Sequence, residues 1–536
     1  MMGLEVIFML DYLIRGATLL DGSGKAGYVA DLGIIGNKIA AIGENLGEAA
    51  HVMDGRGYCL SPGFLDIHRH GDGAAFRPGY GELELRQGLT TVVNGACGLS
   101  LAPFGNTHRE ELLHYLSPVT GFPDPAIPTE SMAAYLDALA KRPLPLNVGM
   151  MVGGGTVRAD LFGYGPEEPS SYTQIHQKLE QSLQAGALAV SLGLGYAPEC
   201  FYSTQGLIRA LAPLRNSQIP ICVHMREEGD RVCEALREML EVSGALNCPL
   251  HISHLKAMGM RNWNKRIPHA LELMEQARQK GQKVSCDVYL YEAGTTQLLH
   301  LLPTDFLVGG VDAICRRLED PLQREILKER IATGRDFDNI AQMVGWENIM
   351  LSAMELPEHQ DLIGRNVAEA AEELRMHPVD CICHLLARER CSVTMIDRIT
   401  CEEDIARILA DPHAAVISDA TYPDKGLPHP RVYGNVARLF ERFVYGLQTI
   451  SLAEAVRKLT SLPAGIMGLK TKGLLKVGMD ADLNLFRPEE FKEMGSYLNP
   501  KQYAQGMDTV FVMGKPVIYH GERTGQLTGE VLRRSF

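Results

Sequence analysis

At 536 residues, with 46% apolar and 22% charged side chains, the chain exceeds one ordinary domain and has the make-up of a soluble globular protein. A net charge of −13 argues against nucleic acid or an anionic membrane as a partner, and no apolar run has the length to span a bilayer. Twelve cysteines, with no Cys-x-x-Cys spacing, read as buried thiols of a reducing compartment, so a cytoplasmic protein is expected.

In chain order, the opening ten residues carry an apolar stretch without a basic flank or a cleavage-like site, and read as a ragged start. From Tyr12 to Leu46 short strands alternate with glycines. Gly473 to Phe486 and Thr509 to Tyr519 repeat that style, with a Gly-Lys-Pro turn at 514–516. Neither end can enclose a core alone. Residues 1–62 and 470–536 are therefore expected to share one small β-sandwich, with a catalytic domain over 63–469 inserted between them.

The middle alternates strands and helices at the pitch of βα units. Strands are expected at Gly63–His70, Thr90–Gly95, Asn147–Val152, Ala187–Leu194, Ile219–His224, Pro249–His254, Val284–Tyr291 and Ala414–Asp419. Helical patterns such as Gln174–Ala185, Asp230–Leu240 and Pro268–Lys280 intervene. This is the pattern of an α/β fold of the (β/α)8 TIM-like barrel class, whose sites lie at the C-terminal ends of the strands. Residues 292–413, between the last two strands, are too many for a plain loop and should hold helices and a small insertion over the barrel mouth.

The chemistry gathers at those strand ends. Gly-Phe-Leu-Asp-Ile-His-Arg-His closes an apolar run with His68 and His70, two residues apart and so on one face of a strand. Ile-Cys-Val-His224, Leu-His-Ile-Ser-His254 and Ala-Val-Ile-Ser-Asp419 end in the same way. Burying imidazoles without partners is costly, so a shared metal ion is the economical reading. His251, three residues before His254, points to the opposite face and is assigned to structure. Cys97, after the second strand, can complete a thiolate-plus-two-imidazole set with one open position, as catalytic zinc sites have. Cys381 and Cys383, beside His384, sit in an amphipathic pattern and read as packed thiols. Asp419 is either a cap or a proton carrier at the metal.

These segments, together with Asn-Gly-Ala-Cys-Gly-Leu-Ser-Leu-Ala-Pro, Val-His-Met-Arg-Glu-Glu, His-Ile-Ser-His-Leu-Lys and His-Pro-Arg-Val-Tyr-Gly, occur in an order that resembles the N-acyl-D-amino-acid deacylases (D-aminoacylases) of the amidohydrolase superfamily. The resemblance spans nearly the whole chain after the first ten residues. It implies one zinc held tightly by Cys97, His224 and His254, and a weaker second position using His68 and His70, with the thiolate able to bridge. It further implies Asp419 as the catalytic aspartate and Tyr196, Lys256 and Arg431 as holders of the substrate's α-carboxylate. Charge alone supports the last two. The expected partner is a small N-acyl amino acid, and the expected assembly a monomer or small homo-oligomer.

The stretch Ala-Thr-Tyr-Pro-Asp-Lys-Gly-Leu-Pro after Asp419 lacks the histidines usual in that family, and Gly95-Ala96 and Gly195 also depart from its pattern. Ala293 to Leu302, with Gln297, Leu298 and Leu299, is expected to line the mouth and to favour neutral or apolar D-amino acids. A cyclic-amide hydrolase of the hydantoinase or dihydroorotase kind would need a bridging lysine on the fourth strand, where Ala-Val-Ser-Leu-Gly-Leu-Gly-Tyr has none. A non-catalytic scaffold would have lost ligands that are all present.

Overall fold

The computed structural model describes residues 9–105, 107–121, 124–423 and 425–534, so most of the stretch read as a ragged start lies outside the described residues. From the N-terminal side, β1 (Leu10–Leu19), β2 (Tyr28–Ile35) and β3 (Lys38–Gly43) form an antiparallel meander. β4 (Ala49–Asp54) and β5 (Cys59–Pro62) run parallel to β1.

Each of the eight apolar runs then contains a strand. The first seven are β6 (Phe64–Asp66), β7 (Leu89–Asn94), β8 (Asn147–Met150) with its continuation β9 (Val152–Gly153), β10 (Val190–Gly193), β11 (Ile221–His224), β12 (Leu250–Ile252) and β13 (Val284–Val288). The insertion contributes β14 (Ala293–Gln297), β15 (Ile349–Ala353) and β16 (Thr394–Arg398), and β17 (Ala414–Val416) is the eighth. β6, β7 and β8 pair in parallel, as do β9, β10, β11, β12, β13 and β17 in that order.

Only Met151 separates β8 from β9, and its N–H donates to the carbonyl of Asn94 at 2.9 Å. A parallel bridge between Arg69 and Ala420, with the His70 N–H on the Ala420 carbonyl at 2.9 Å, brings the chain after β6 beside the chain after β17. All six residues of β7 are buried, as parallel strands covered on both faces require. Ile67, Val93, Met151, Ala189, Cys222 and Ile417, on or beside six of these strands, belong to one buried apolar cluster.

Helices follow the strands as patterned. Over Thr173–Ala185, Ile175, Leu179 and Leu183 recur every four residues on the buried face, and Gly186 ends the helix at φ +116°. The strands themselves stop earlier than expected. β12 ends two residues before His254 and β17 three before Asp419, because the backbone turns left-handed at both, with φ of +36° and +49°. Cys97, three residues past β7, is left-handed as well at +54°.

The insertion forms an antiparallel sheet in the order β14-β16-β15, accompanied by helices such as Gly310–Glu319 and Pro378–Arg388. Cys381 and Cys383 are packed inside the second of these, where burial pushes both thiols up to about 12.

The chain then returns to the first sheet through β18 (Leu483–Phe486), β19 (Met507–Val512), β20 (Lys515–Tyr519) and β21 (Glu522–Arg523). β18 pairs antiparallel with β5, so both ends of the chain share nine strands around Ile14, Leu32, Leu60, Leu483 and Phe511. No helix among the described residues is long and apolar enough to cross a membrane.

Candidate active site

The left-handed turn at Cys97 lies between Gly95 and Gly98, and Ser191 on β10 fixes it. The Ser191 hydroxyl donates to the Gly95 carbonyl at 2.5 Å and accepts the Gly98 N–H at 3.1 Å. Cys97 Sγ thereby sits 3.2 Å from His68 Nε2 and 3.4 Å from His254 Nε2. His224 Nδ1 lies 3.0 Å from His254 Nε2, and His70 Nε2 lies 3.2 Å from Asp419 Oδ1. Gly195 makes room for the His224 ring, since a Cβ there would lie 2.9 Å from Nε2.

Three overlapping groups of potential ligand atoms result: His68, His70 and Cys97; Cys97, His224 and His254; and His68, His254 and Asp419. Within each group the atoms lie within 4.8 Å of one another. Imidazole, thiol and carboxylate turned inward on each other make a donor set that fits zinc. Burial pushes the Cys97 thiol up, but His68 and His254 outweigh it and hold the thiol well below its ordinary value, so a thiolate is available. Cys381, Cys383 and His384 belong to no such group among the described residues.

Two carboxylates that sequence reading did not single out stand behind the imidazoles. Asp287 on β13 approaches His68 Nδ1 at 3.3 Å and His251 Nε2 at 2.8 Å, and accepts the His254 backbone N–H. Glu228 Oε1 lies 3.1 Å from His254 Nδ1, and its Oε2 lies 3.6 Å from His224 Nε2. Such contacts orient imidazole ligands and set which nitrogen faces the metal. An aspartate inside the apolar run of β13, and a glutamate four residues after His224, were the available signals.

Burial would raise the Asp419 carboxyl, but Arg431, followed by His68, holds it well below the usual carboxylate range. Arg431 Nη2 lies 2.8 Å from Asp419 Oδ2, and the guanidinium lies 4.3 Å from the centre of the Tyr289 ring. Its Nε and Nη1 are buried without partners. Arg431 thus stands behind Asp419 and is itself fully buried.

Lys256 and Tyr196 are on the wall of the cavity, about 350 Å³, that reaches His224, His254 and Asp419. The Lys256 ammonium is 2.6 Å from Glu228 Oε2, and the Tyr196 ring lies against His224 and His300 at 4.4 and 4.3 Å between centroids. The mouth segment differs from expectation. Thr295, Thr296, His300 and Leu302 face this cavity, whereas Leu298 and Leu299 are packed in the main core. The short helical turn at Leu298–Leu301 rotates that apolar pair inward, and Gln297 donates its amide to the Tyr115 carbonyl at 2.6 Å.

A family model described as amidohydrolase family matches residues 234–518. A D-aminoacylase of Alcaligenes xylosoxydans xylosoxydans is 32% identical over 98% of both chains. An N-acyl-D-aspartate deacylase of the same organism is 31% identical over 97% of this chain and 95% of its own. Among solved structures, an N-acyl-D-glutamate deacylase from Bordetella bronchiseptica, complexed with zinc and a phosphonate mimic of the tetrahedral intermediate, superposes with a TM-score of 0.82. It is 28% identical, and the match covers 98% of this chain and all of that one.

Proposed function

The chain belongs to the N-acyl-D-amino-acid deacylases of the amidohydrolase family, and from that premise we infer that it hydrolyses the amide of N-acyl-D-amino acids to a carboxylic acid and a free D-amino acid. It is a zinc-dependent hydrolase of linear amides with a TIM-barrel-type α/β fold. The observation that carries this reading is the convergence of a thiol, four imidazoles and an ion-paired aspartate in overlapping ligand groups, with His224, His254 and Asp419 on the wall of a cavity. Release of amino acid from paired N-acetyl-D- and N-acetyl-L-methionine tests it. Turnover confined largely to the D form is expected, and equal rates would refute it.

The ligand roles are our assignment. Cys97, His224 and His254 would hold the tighter zinc. His68 and His70 would serve a weaker second position that shares Cys97. A zinc ion so held supplies Lewis acidity, which eases loss of a proton from water and draws charge from the acyl carbonyl. Asp419, kept ionised by Arg431, accepts the proton of the attacking water as the new C–O bond forms. In its protonated form it then delivers that proton to the amine as the C–N bond breaks.

Lys256, Tyr196 and Arg431 are assigned to the substrate α-carboxylate. The orphan Nε and Nη1 of Arg431 support this, because these donors are left unsatisfied beyond the ion pair with Asp419 and can serve a further acceptor. Clamping the carboxylate while the carbonyl faces the ligands leaves one space for the side chain, so the enantiomers are told apart.

We also read the eight parallel strands as a closed barrel over 63–469 with an insertion at 292–413. The Arg69–Ala420 bridge, and one apolar cluster shared by Ile67, Val93, Met151, Ala189, Cys222 and Ile417, support closure. Residues 1–62 and 470–536 then form the small sandwich.

A further inference from the structure

The cavity is lined by more than the metal ligands. Met258, Phe337, Ile340 and Ile399 supply apolar surface, and Asp397 stands among them. Asp397 lies on β16, the central strand of the insertion sheet, where it pairs with Gly294 of β14 and Ile349 of β15. Its side chain is buried, at 2% exposure, and lines the cavity, yet its Oδ1 has no hydrogen-bond partner. A buried carboxylate oxygen left unpaired is expensive and marks an absent donor. Gly294 keeps the approach open. A Cβ there would lie 3.3 Å from Asp397 Oδ1, 3.2 Å from the Tyr289 hydroxyl and 2.8 Å from Ile399 Cδ1.

Cations at and beside this cavity each have a carboxylate partner within the chain. Lys256 pairs with Glu228 at 2.6 Å, Arg431 with Asp419 at 2.8 Å and Arg226 with Glu238 at 2.9 Å, and Arg231 is paired with Glu227. Among the described residues no ion-pair partner reaches Asp397, nor Asp338, which also lines the cavity and whose carboxylate accepts the N–H groups of Glu228 and Gly229. Burial pushes the carboxyls of Asp397 and Asp338 up, to about 6 and about 7, so a cation brought to them would favour their ionised forms, and the same cavity offers apolar surface suited to methylene groups.

Resting on the deacylase reading above, we propose that this cavity selects N-acyl-D-amino acids with a basic side chain, such as D-lysine or D-arginine, and that Asp397 is the counter-ion. The apolar stem packs on Met258, Ile340 and Ile399, and the terminal ammonium or guanidinium pairs with the Asp397 carboxylate. An acidic side chain would meet like charge, and an apolar one would leave the carboxylate unpaired. This departs from the preference for neutral or apolar side chains expected from residues 293–302, which rested on the absence of arginine and lysine from that segment and took no account of Asp397.

The test compares N-acetyl-D-lysine with N-acetyl-D-norleucine, which keeps most of the stem and lacks the ammonium. Both kcat/KM and calorimetric Kd are measured on the zinc-loaded enzyme. A preference for the lysine compound of roughly 10-fold or more is expected from a buried charge-assisted contact. Asp397→Asn should reduce that ratio by a similar factor, and Gly294→Ala, which crowds the carboxylate, should reduce it as well. A wild-type preference for norleucine, or a ratio unchanged in both variants, overturns the proposal. Turnover of neither compound, with lysine still bound preferentially, counts against the deacylase reading and for the pocket. Turnover of both without preference counts the other way.

Discussion

At Cys97, His254 and Asp419 the backbone adopts left-handed φ values that non-glycine residues seldom take. Each such residue costs on the order of 1–2 kcal/mol, which persists only where surrounding structure enforces it. Here the enforcement places one thiol, one imidazole and one carboxylate around a common point. Cys97→Ala should lose tight zinc and activity together, checked by metal content after dialysis alongside turnover; a variant that keeps one zinc and full rate removes Cys97 from the site. Asp419→Asn separates binding from proton transfer. It should retain zinc while kcat falls by roughly 10²- to 10⁴-fold, and either an unchanged kcat or wholesale metal loss speaks against the proton-carrier role. His68, His70, His224, His254, Cys97 and Asp419 were legible in the chain because each closes or follows an apolar run. Glu228, Asp287 and Asp397 were not singled out: Glu228 follows His224 by four residues, but its contact with His254 and those of Asp287 and Asp397 join positions 26 to over 200 residues apart.

At the scale of elements, the ends of the parallel strands are tied together by buried polar groups. Glu199, following β10, accepts the Gly193 N–H at 2.6 Å, and burial pushes its carboxyl up to about 8. Its folded-state pKa thus lies above the ordinary glutamate value, so the folded chain holds a proton that the unfolded chain releases. The stability this contributes is complete below about pH 4.5, declines as pH rises, and is gone above about pH 8, with a slope of at most about 1.4 kcal/mol per pH unit. Glu199→Gln removes the titration. The melting temperature of the wild type relative to this variant should therefore fall between pH 5 and pH 8, and a constant difference would show that Glu199 is ionised when folded. Element type and order could be read from the alternation of apolar runs and helical periods. The strands' early ends could not, because they depend on left-handed turns that hydrophobic period does not encode. The inward rotation of Leu298 and Leu299 likewise depends on a short turn and on the tertiary partner of Gln297.

Across the whole molecule, the terminal sheet is fastened to the body by a buried ionic knot. Lys472 Nζ contacts Asp480 at 3.1 Å and Asp482 at 2.7 Å, and Asp482 also accepts the Asn147 amide of β8 at 2.9 Å. The similar glycine-broken style of the two ends was visible in the sequence, and their union through β5 and β18 follows from neither end burying its own strands. The insertion was visible as an interval too long for a loop. Its sheet, and the acidic wall that sheet lends to the cavity, needed three-dimensional placement. The central claim is that these parts assemble a zinc-dependent, D-selective deacylase. It is tested most directly by titrating chelator-stripped enzyme with zinc while following amino acid release from an N-acetyl-D-amino acid and its L enantiomer. Activity on the D form should be absent without metal and rise to a plateau near one zinc per chain, with the L form remaining far behind. Full activity of the metal-free enzyme, or equal plateaus for both enantiomers, would contradict it.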